Sequence, residues 1–211
     1  MAKIQPFEVF SDEYDEWFEA NREKYELELR AVRHFIPDGS GGMEVGVGTG
    51  KFAAPLGIKT GVEPSQIMAE KARRLGIRVV DGVAEDLPFE DGSFDFVLMV
   101  TTICFVDDID RAFREANRVI KAGGFIVVGF VDRESDLGRE YMKRKNESRF
   151  YQSATFFSVQ EVMACLRDAG FGDFEFRQTL VSEPGASDMT DGYGDGAFVV
   201  IKGMKREDSG R

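Results

Sequence analysis

Blocks of hydrophobic and polar residues along this chain predict strands and helices in alternation. Short apolar runs predict a buried strand that starts at Met43 and further strands at 58–62, 77–80, 94–100 and 125–131. A brief helix is predicted after the first run, with longer helices from Gln66 to about Leu75 and from Asp107 or Asp108 to Val119. Such alternation predicts an α/β fold with a parallel, right-handed, doubly wound sheet in one domain.

Polar residues predict where several helices begin. Ser65 is predicted to cap the helix that starts at Gln66, and Ser11 to cap one that starts near Asp12. Ser158 and Glu161 have the spacing of a capping box. These signals divide the chain into helices of ordinary length.

The remaining segments are the C-terminal part of the chain and residues 132–157. The C-terminal part should add strands at 173–181 and 196–202, joined by a polar connection at 182–195, before a flexible tail at 204–211. Residues 132–157 form a variable segment with a charged helix from Leu137 to Ser148. The aromatic stretch at its end either lines a substrate pocket or only covers the core.

Residues 1–35 are predicted to be helical and carry aromatic side chains at roughly helical spacing. Either these helices simply pack on the sheet, or they form a lid in which Tyr14 and Trp17 cover a ligand cleft. The domain itself is predicted to span residues 36–203.

The first strand runs into a glycine-rich turn, Met43–Lys51. Gly46, Gly48 and Gly50 stand at alternate positions, so a ligand can approach the backbone N–H groups without interference from a Cβ atom. The helix that follows directs its free amides and positive dipole end at the same place. In an open α/β sheet this is where a nucleotide-like ligand binds.

The spacing of the turn separates the ligand classes. A phosphate-binding P-loop is excluded because Val45 stands at its first glycine and Phe52 at its hydroxyl residue. A dinucleotide fingerprint fails at its third glycine, where the chain has Lys51. The pattern that remains is an acidic residue, Glu44, followed by three alternating glycines.

Glu63 follows the second strand, at the sheet edge predicted to carry the glycine turn. A carboxylate there can accept hydrogen bonds from both hydroxyls of a ribose, and the alternative is a solvated turn residue. Met68, in the first turn of the next helix, either packs on an adenine ring or belongs to the core.

Composition narrows the possible functions. The 211 residues carry a net charge of −11, which argues against a nucleic-acid surface and against anionic membranes. His34 is the only histidine, and Cys104 and Cys165 lie far apart, so no metal site and no Ser–His or Cys–His unit is expected. Sparse cysteine and the lack of an apolar run of ~18 residues predict a cytoplasmic protein.

Three segments resemble class I S-adenosylmethionine (SAM)-dependent methyltransferases, especially those near the ubiquinone and menaquinone pathway enzymes. The glycine turn has the form of their first motif, 81–89 resembles their G-D-A-E-x-L-P-F segment, and 114–124 matches R-E-x-x-R-V-L-K-P-G-G with alanine in place of proline. One departure is Val83, which replaces the aspartate that accepts a hydrogen bond from the adenine amino group.

The resemblance implies SAM as the cofactor and a seven-stranded sheet with the last, antiparallel strand inserted beside the sixth. It implies that the glycines contact the methionyl part of SAM, Glu44 its ammonium and Glu63 its ribose. Ala84 would offer a backbone N–H to adenine, and Glu85 or Asp86 would accept from its amino group. The implied cofactor residues are Glu44, Gly46, Gly48, Gly50, Glu63, Pro64, Met68, Ala84, Glu85, Val100 and Thr101.

The implied activity is in-line transfer of the SAM methyl group to a small-molecule N, O or C acceptor. Alignment and exclusion of water supply most of the acceleration in such a reaction, which suits a chain with a single histidine. The predicted substrate pocket comprises Tyr14, Trp17, Phe105 and Asp132. Tyr14, Asp132 or a water molecule are candidate bases, and Cys104 is favoured as a small buried hydrophobe over a nucleophile.

Two alternatives remain open from the sequence. One is a SAM-binding protein without catalysis that acts as a regulator, and the other is a nicotinamide oxidoreductase, because Glu63 suits both cofactors. The chain is expected to act as a monomer or a homodimer.

Overall fold

One mixed sheet with helices on both faces forms this protein. A computed structural model describes residues 4–39, 41–181 and 187–206. The strands are β1 (Gly42–Val45), β2 (Thr60–Val62), β3 (Arg78–Val80), β4 (Phe94–Val100), β5 (Ile120–Val131), β6 (Phe171–Val181), β7 (Ser187–Asp191) and β8 (Phe198–Lys205). They lie in the order β3-β2-β1-β4-β5-β8-β6-β7.

The helices connect these strands and cover the sheet. They are α1 (Gln5–Val9), α2 (Ser11–Ala20), α3 (Arg22–Arg33), α4 (Ala53–Leu56), α5 (Gln66–Arg74), α6 (Ile109–Val119), α7 (Asp136–Arg144) and α8 (Val159–Asp168), with single 3-10 turns at Lys145–Glu147 and Tyr151–Ser153. Across the described ranges, none of them combines the length and the apolar character that a bilayer crossing requires.

The strand directions confirm the predicted doubly wound sheet. Strands β1 to β5 pair in parallel, and β8 lies antiparallel between β5 and β6, as predicted for the last strand. The sheet has eight strands rather than seven, because β7 pairs antiparallel with β6 inside the segment predicted to be a polar connection. An edge strand can be polar because only one of its sides is paired, so its sequence lacks the apolar run of a central strand.

The core forms two layers, one on each face of the sheet. Along β4, Val97 and Met99 point to the layer under α6 and α8, whereas Phe96 and Leu98 point to the layer under α3 and α5. This alternation is the ordinary period of a strand whose two faces are both covered. The N-terminal helix α3 therefore packs on the sheet through residues such as Val32.

Most predicted helix starts are confirmed. The Ser65 hydroxyl accepts a hydrogen bond from Met68 N–H at 3.3 Å, and Ser158 and Glu161 form a complete capping box. The Ser11 prediction is wrong: α2 starts at Ser11 itself, and no side chain in the described structure caps it. Since α1 ends only two residues earlier, Ser11 is buried where the two helices meet.

Two element boundaries also differ from the prediction. Strand β5 begins at Ile120 rather than Phe125, because Ile120 pairs with Phe94 across an irregularity in the ladder. The helix predicted to reach Ser148 ends at Arg144. Strand β8 runs to Lys205, and the predicted tail from residue 207 onward lies outside the described residues.

Removing the capping box should lower stability measurably. Ser158→Ala leaves an amide at the start of α8 without its side-chain acceptor, which costs about 1 kcal/mol of unfolding free energy and about 2–4 °C in Tm. The control Gln160→Ala, an exposed site in the same turn, should change stability by less than about 0.5 kcal/mol. Equal melting temperatures for the two variants in calorimetry would contradict the capping role.

Candidate functional site

The glycine turn after β1 is held against β2 by backbone hydrogen bonds. Gly46 N–H donates to the Val62 carbonyl at 2.8 Å, and the three alternate glycines all have positive φ, between 55° and 86°. A Cβ atom on Gly46 would lie 2.5 Å from the Thr102 side chain, whereas one on Gly48 would meet nothing closer than 3.6 Å. Gly46 is therefore needed for packing, and Gly48 leaves its backbone open to the adjacent cavity.

Glu63 joins this turn to the start of α5. Its carboxylate accepts a hydrogen bond from Gly48 N–H and another from Ser65 N–H, each 2.9 Å long. The residue is buried, and burial raises its pKa while the two amide bonds oppose the rise. The carboxylate thus stands where the ends of β1 and β2 meet.

Glu44 is a second buried carboxylate close by, in the middle of β1. Burial raises its pKa well above the usual range, with the charge of Glu63 adding to the rise and the Ala53 amide opposing it. Within the described part of the chain, its Oε2 atom has no hydrogen-bond partner. Two neighbouring buried carboxylates favour a cationic ligand and disfavour a pyrophosphate.

A cavity opens beside the turn, and we call it the loop cavity. Nearly all predicted cofactor residues line it, together with several that were not predicted. The lining residues are Ile4, Phe7, Tyr14, Val45, Gly46, Gly48, Val62, Glu63, Pro64, Met68, Gly82, Val83, Ala84, Glu85, Val100, Thr101, Thr102, Phe105 and Val106. Of the predicted set, Glu44 and Gly50 lie outside this lining.

The segment that follows β3 brings Val83, Ala84 and Glu85 to the loop cavity, whereas Asp86 is not among its lining residues. The Glu85 carboxylate accepts hydrogen bonds from Asp107 N–H at 2.6 Å and Asp108 N–H at 3.1 Å. Glu85 therefore ties this segment to the loop before α6.

A second, larger cavity adjoins the first, and we call it the aromatic cavity. It encloses about 340 Å³. Its lining is mostly aromatic, with charged groups at one side: Phe7, Tyr14, Trp17, Phe18, Lys24, Glu28, Phe52, Thr101, Phe105, Val131, Glu140, Tyr141, Arg144, Glu147, Ser148, Phe150 and Tyr151. It shares Phe7, Tyr14, Thr101 and Phe105 with the loop cavity.

The shared boundary is strained. Thr101, at the end of β4, has φ of 51°, a left-handed conformation that is unfavourable for a β-branched residue. Its N–H donates to the Gly129 carbonyl at 2.7 Å, and the next residue, Thr102, donates its hydroxyl to the Val45 carbonyl at 3.0 Å. Bonds to two neighbouring strands hold the strained residue in place.

The N-terminal helices cover this edge of the sheet and are tied to it by charge. Asp15 on α2 accepts a hydrogen bond from the Thr49 hydroxyl at 2.7 Å and from the Lys71 ammonium at 2.9 Å. Burial, followed by the charges of Glu44 and Glu63, raises the pKa of the Tyr14 phenol. Tyr14 therefore keeps its proton and can act as a hydrogen-bond donor rather than as a base.

The other predicted residues are distributed as follows. Trp17 lines the aromatic cavity, whereas Asp132 is buried outside both cavities and accepts a hydrogen bond from Glu134 N–H at 3.0 Å. Cys104 is half-buried, and its thiol donates to the Thr101 carbonyl at 3.1 Å. In the ranges that the structure describes, no group of acidic, histidine or cysteine residues is arranged to hold a metal ion.

Glu28 was not predicted to be a site residue. It is only 5% exposed and lines the aromatic cavity. Burial raises its pKa to about 7, and the charge of Lys24 opposes the rise. The surrounding sequence, Tyr25–Leu29, predicts an ordinary amphipathic helix. Nothing in that pattern indicates that α7 and the turn at Tyr151 cover this helix.

Comparisons with known proteins agree with the geometry. A family model described as a methyltransferase domain matches residues 43–128. A crystal structure from Thermotoga maritima, described as a SAM-dependent methyltransferase and possible histamine N-methyltransferase, is 54% identical. It covers 96% of this chain and 100% of its own, with a TM-score of 0.93.

Two curated relatives extend the comparison. An uncharacterized protein of Methanocaldococcus jannaschii is 42% identical over 94% of this chain and 98% of its own length. A demethylmenaquinone methyltransferase of Staphylococcus aureus is 29% identical over 64% of this chain and 69% of its own. The match to the Methanocaldococcus jannaschii protein therefore extends over nearly the whole chain.

Glu28→Gln should change how stability depends on pH. The carboxyl has a pKa of about 7 in the folded chain, above its unfolded value. The unfolded chain therefore ionises at lower pH than the folded one, and the native protein loses stability as the pH rises from about 5 to about 7. The variant escapes this loss, so its unfolding free energy relative to the native protein should rise by about 2 kcal/mol over that range.

Urea unfolding at both pH values measures the effect of Glu28→Gln. Glu26→Gln, at an exposed site on the same helix, is the matched control and should follow the native protein. Parallel pH dependence in all three proteins would contradict the assignment of a raised pKa to Glu28.

Proposed function

Because the chain belongs to the class I SAM-dependent methyltransferases, we propose that it transfers the SAM methyl group to a small-molecule N, O or C acceptor held in the aromatic cavity. The observation that carries the proposal is the boundary shared by the two cavities at Tyr14 and Thr101. A methyl donor in the loop cavity would face an acceptor across that boundary. The chain is an enzyme with SAM as its cofactor, so neither a regulator without catalysis nor a nicotinamide enzyme is retained.

The residues of the loop cavity fit SAM. Its ammonium and sulfonium are cationic, which suits Glu63 in the lining and the unpartnered oxygen of Glu44, which is buried outside the lining. The open backbone at Gly48 would contact the methionyl part, and Glu63 would accept the ribose hydroxyls. Ala84 and Glu85 would hold the adenine beside Met68, with Val83 in apolar contact.

When bound, SAM supplies an electrophilic methyl group that an acceptor atom takes in line, leaving S-adenosylhomocysteine. The protein then has to align the two molecules and keep water out. Phe7 and Phe105, whose ring centroids are 4.9 Å apart, wall the boundary on one side. Tyr14, which keeps its proton, would donate a hydrogen bond at the boundary and would not remove a proton from the acceptor.

Two further observations support a small-molecule acceptor. The volume of the aromatic cavity, about 340 Å³, lies in the range of small-ligand sites. The Thermotoga maritima relative is described as a possible histamine N-methyltransferase, which names a small acceptor for that protein. The N-terminal helices α1 and α2 would act as the lid over both cavities, and residues 132–157 as the substrate-side insertion.

Glu63→Ala is expected to abolish the micromolar SAM binding that we expect of the native protein. The change removes the proposed ribose acceptor and also the acceptor of the Gly48 and Ser65 amides, so affinity should fall by more than about 100-fold. Calorimetric titration with SAM measures the loss. Glu70→Ala, at an exposed site on α5, should bind SAM as the native protein does.

Calorimetric titrations also distinguish SAM from NAD as the cofactor. NAD is expected not to bind, since its pyrophosphate would meet two buried carboxylates. Unchanged SAM affinity in Glu63→Ala would refute the ribose role. Transfer of labelled methyl groups to a panel of amines, phenols and quinones would then identify the acceptor.

A further inference from the structure

The Glu28 carboxylate is a buried acid without a matching cation. Among the described residues, neither a hydrogen bond to its oxygens nor an ion pair within 4.0 Å is found, although Lys24 stands one helical turn away. Burying a carboxylate without partners is unfavourable, and removing a charge from water is compensated only by a close opposite charge or by hydrogen bonds. The aromatic cavity therefore offers an unmet acceptor site at Glu28.

Aromatic rings surround the space that this carboxylate faces. Tyr141 and Tyr151 stack with ring centroids 5.2 Å apart, and Tyr151 stacks on Phe105 at 6.2 Å. Rings of this kind attract a cation over their faces, most strongly when water is excluded. Phe105 also belongs to the boundary with the loop cavity, so the rings lead from that boundary into the aromatic cavity.

The chain's own ammonium group demonstrates this preference at the rim. Lys24 Nζ lies 5.4 Å from the Trp17 ring centroid and 5.7 Å from that of Tyr141, and it donates a hydrogen bond to the Tyr141 hydroxyl at 3.3 Å. The Lys24 ammonium thus lies against two aromatic faces and one hydroxyl oxygen. The interior adds the Glu28 carboxyl group to such an environment.

The remaining charges at the cavity largely neutralise one another. Arg144 pairs with Glu147 at 3.2 Å and with Glu140 at 3.5 Å, all on the exposed rim. The lining as a whole carries three carboxylates against two cations. An anionic acceptor would meet net negative charge in this cavity, whereas a cationic one would complement it.

We propose that the methyl acceptor is a small amine that binds as a cation, with its ammonium group on Glu28 and its hydrocarbon part among the aromatic rings. For transfer the ammonium gives one proton to the Glu28 carboxylate. The freed nitrogen lone pair then forms the N–C bond as the C–S bond of SAM breaks, which leaves S-adenosylhomocysteine and the methylated ammonium. The inference rests on the proposed function, because it takes the aromatic cavity as the acceptor site. Glu28 is then the residue that determines specificity for an amine over a neutral or acidic molecule of the same shape.

Matched pairs of amine and alcohol test the proposal directly. The pairs are phenethylamine and 2-phenylethanol, tryptamine and tryptophol, and butylamine and 1-butanol, titrated by calorimetry into the protein saturated with S-adenosylhomocysteine. At least one amine should bind about 10- to 100-fold more tightly than its alcohol, the range expected for a hydrogen bond to a charged group. If the native protein binds the amine no more tightly than the alcohol in all three pairs, the proposal is overturned.

Glu28→Gln should remove that preference by weakening the amine about 10- to 100-fold and leaving the alcohol within about 3-fold. Glu28→Asp, which keeps the charge, should retain part of it, and Glu26→Gln should match the native protein. An amine preference that persists in Glu28→Gln would contradict the role of the carboxylate. If Glu28→Gln does not fold, the amine and alcohol affinities of the native protein and of Glu28→Asp still test the proposal.

These experiments distinguish a failure of the proposed function from a failure of the amine assignment. If the native protein fails to bind S-adenosylhomocysteine, the proposed function itself fails. If it binds the nucleoside but shows no preference for amines, only the assignment of the acceptor class fails. Comparing S-adenosylhomocysteine affinity between the native protein and Glu28→Gln shows whether the substitution has disturbed the loop cavity.

Discussion

The two hydrogen bonds from backbone amides to the Glu63 carboxylate are the constraint on which the site depends. One comes from the glycine turn and the other from the start of α5, so a single side chain fixes two segments that approach from neighbouring strands. A buried carboxylate is costly unless its oxygens are satisfied, which favours one arrangement of the turn. The positive φ values of the glycines make that arrangement accessible.

Around this fixed point the protein builds an anionic pocket beside an aromatic one. Glu63 lines this pocket and Glu44 is buried near it. The N-terminal helices are tied to the glycine turn and to α5 through Asp15, which bonds to Thr49 and Lys71. The same helices provide Tyr14 at the boundary and Glu28 in the aromatic cavity. We propose that the loop cavity holds the methyl donor and that the segments outside the shared motifs shape the acceptor side.

The sequence predicts the parts of this protein that depend on local rules. The glycine spacing, the position of Glu63 after a strand and the nearly apolar β4 each follow from short-range pattern, and the structure has the predicted parallel, doubly wound core. Glu28 and β7 were missed because their environment comes from distant segments: α7 and Tyr151 for the former, the free edge of β6 for the latter. The prediction that Ser11 caps α2 was wrong because it took no account of α1, which ends just before Ser11.

We infer that the sulfur of the bound cofactor faces the aromatic cavity across the boundary at Tyr14 and Thr101. A crystal structure of the complex with S-adenosylhomocysteine tests this most directly. We expect the ribose on Glu63, the homocysteine ammonium at Glu44, and the sulfur directed between Tyr14 and Thr101. A nucleoside bound elsewhere, or a sulfur directed away from the aromatic cavity, would contradict this placement of the cofactor.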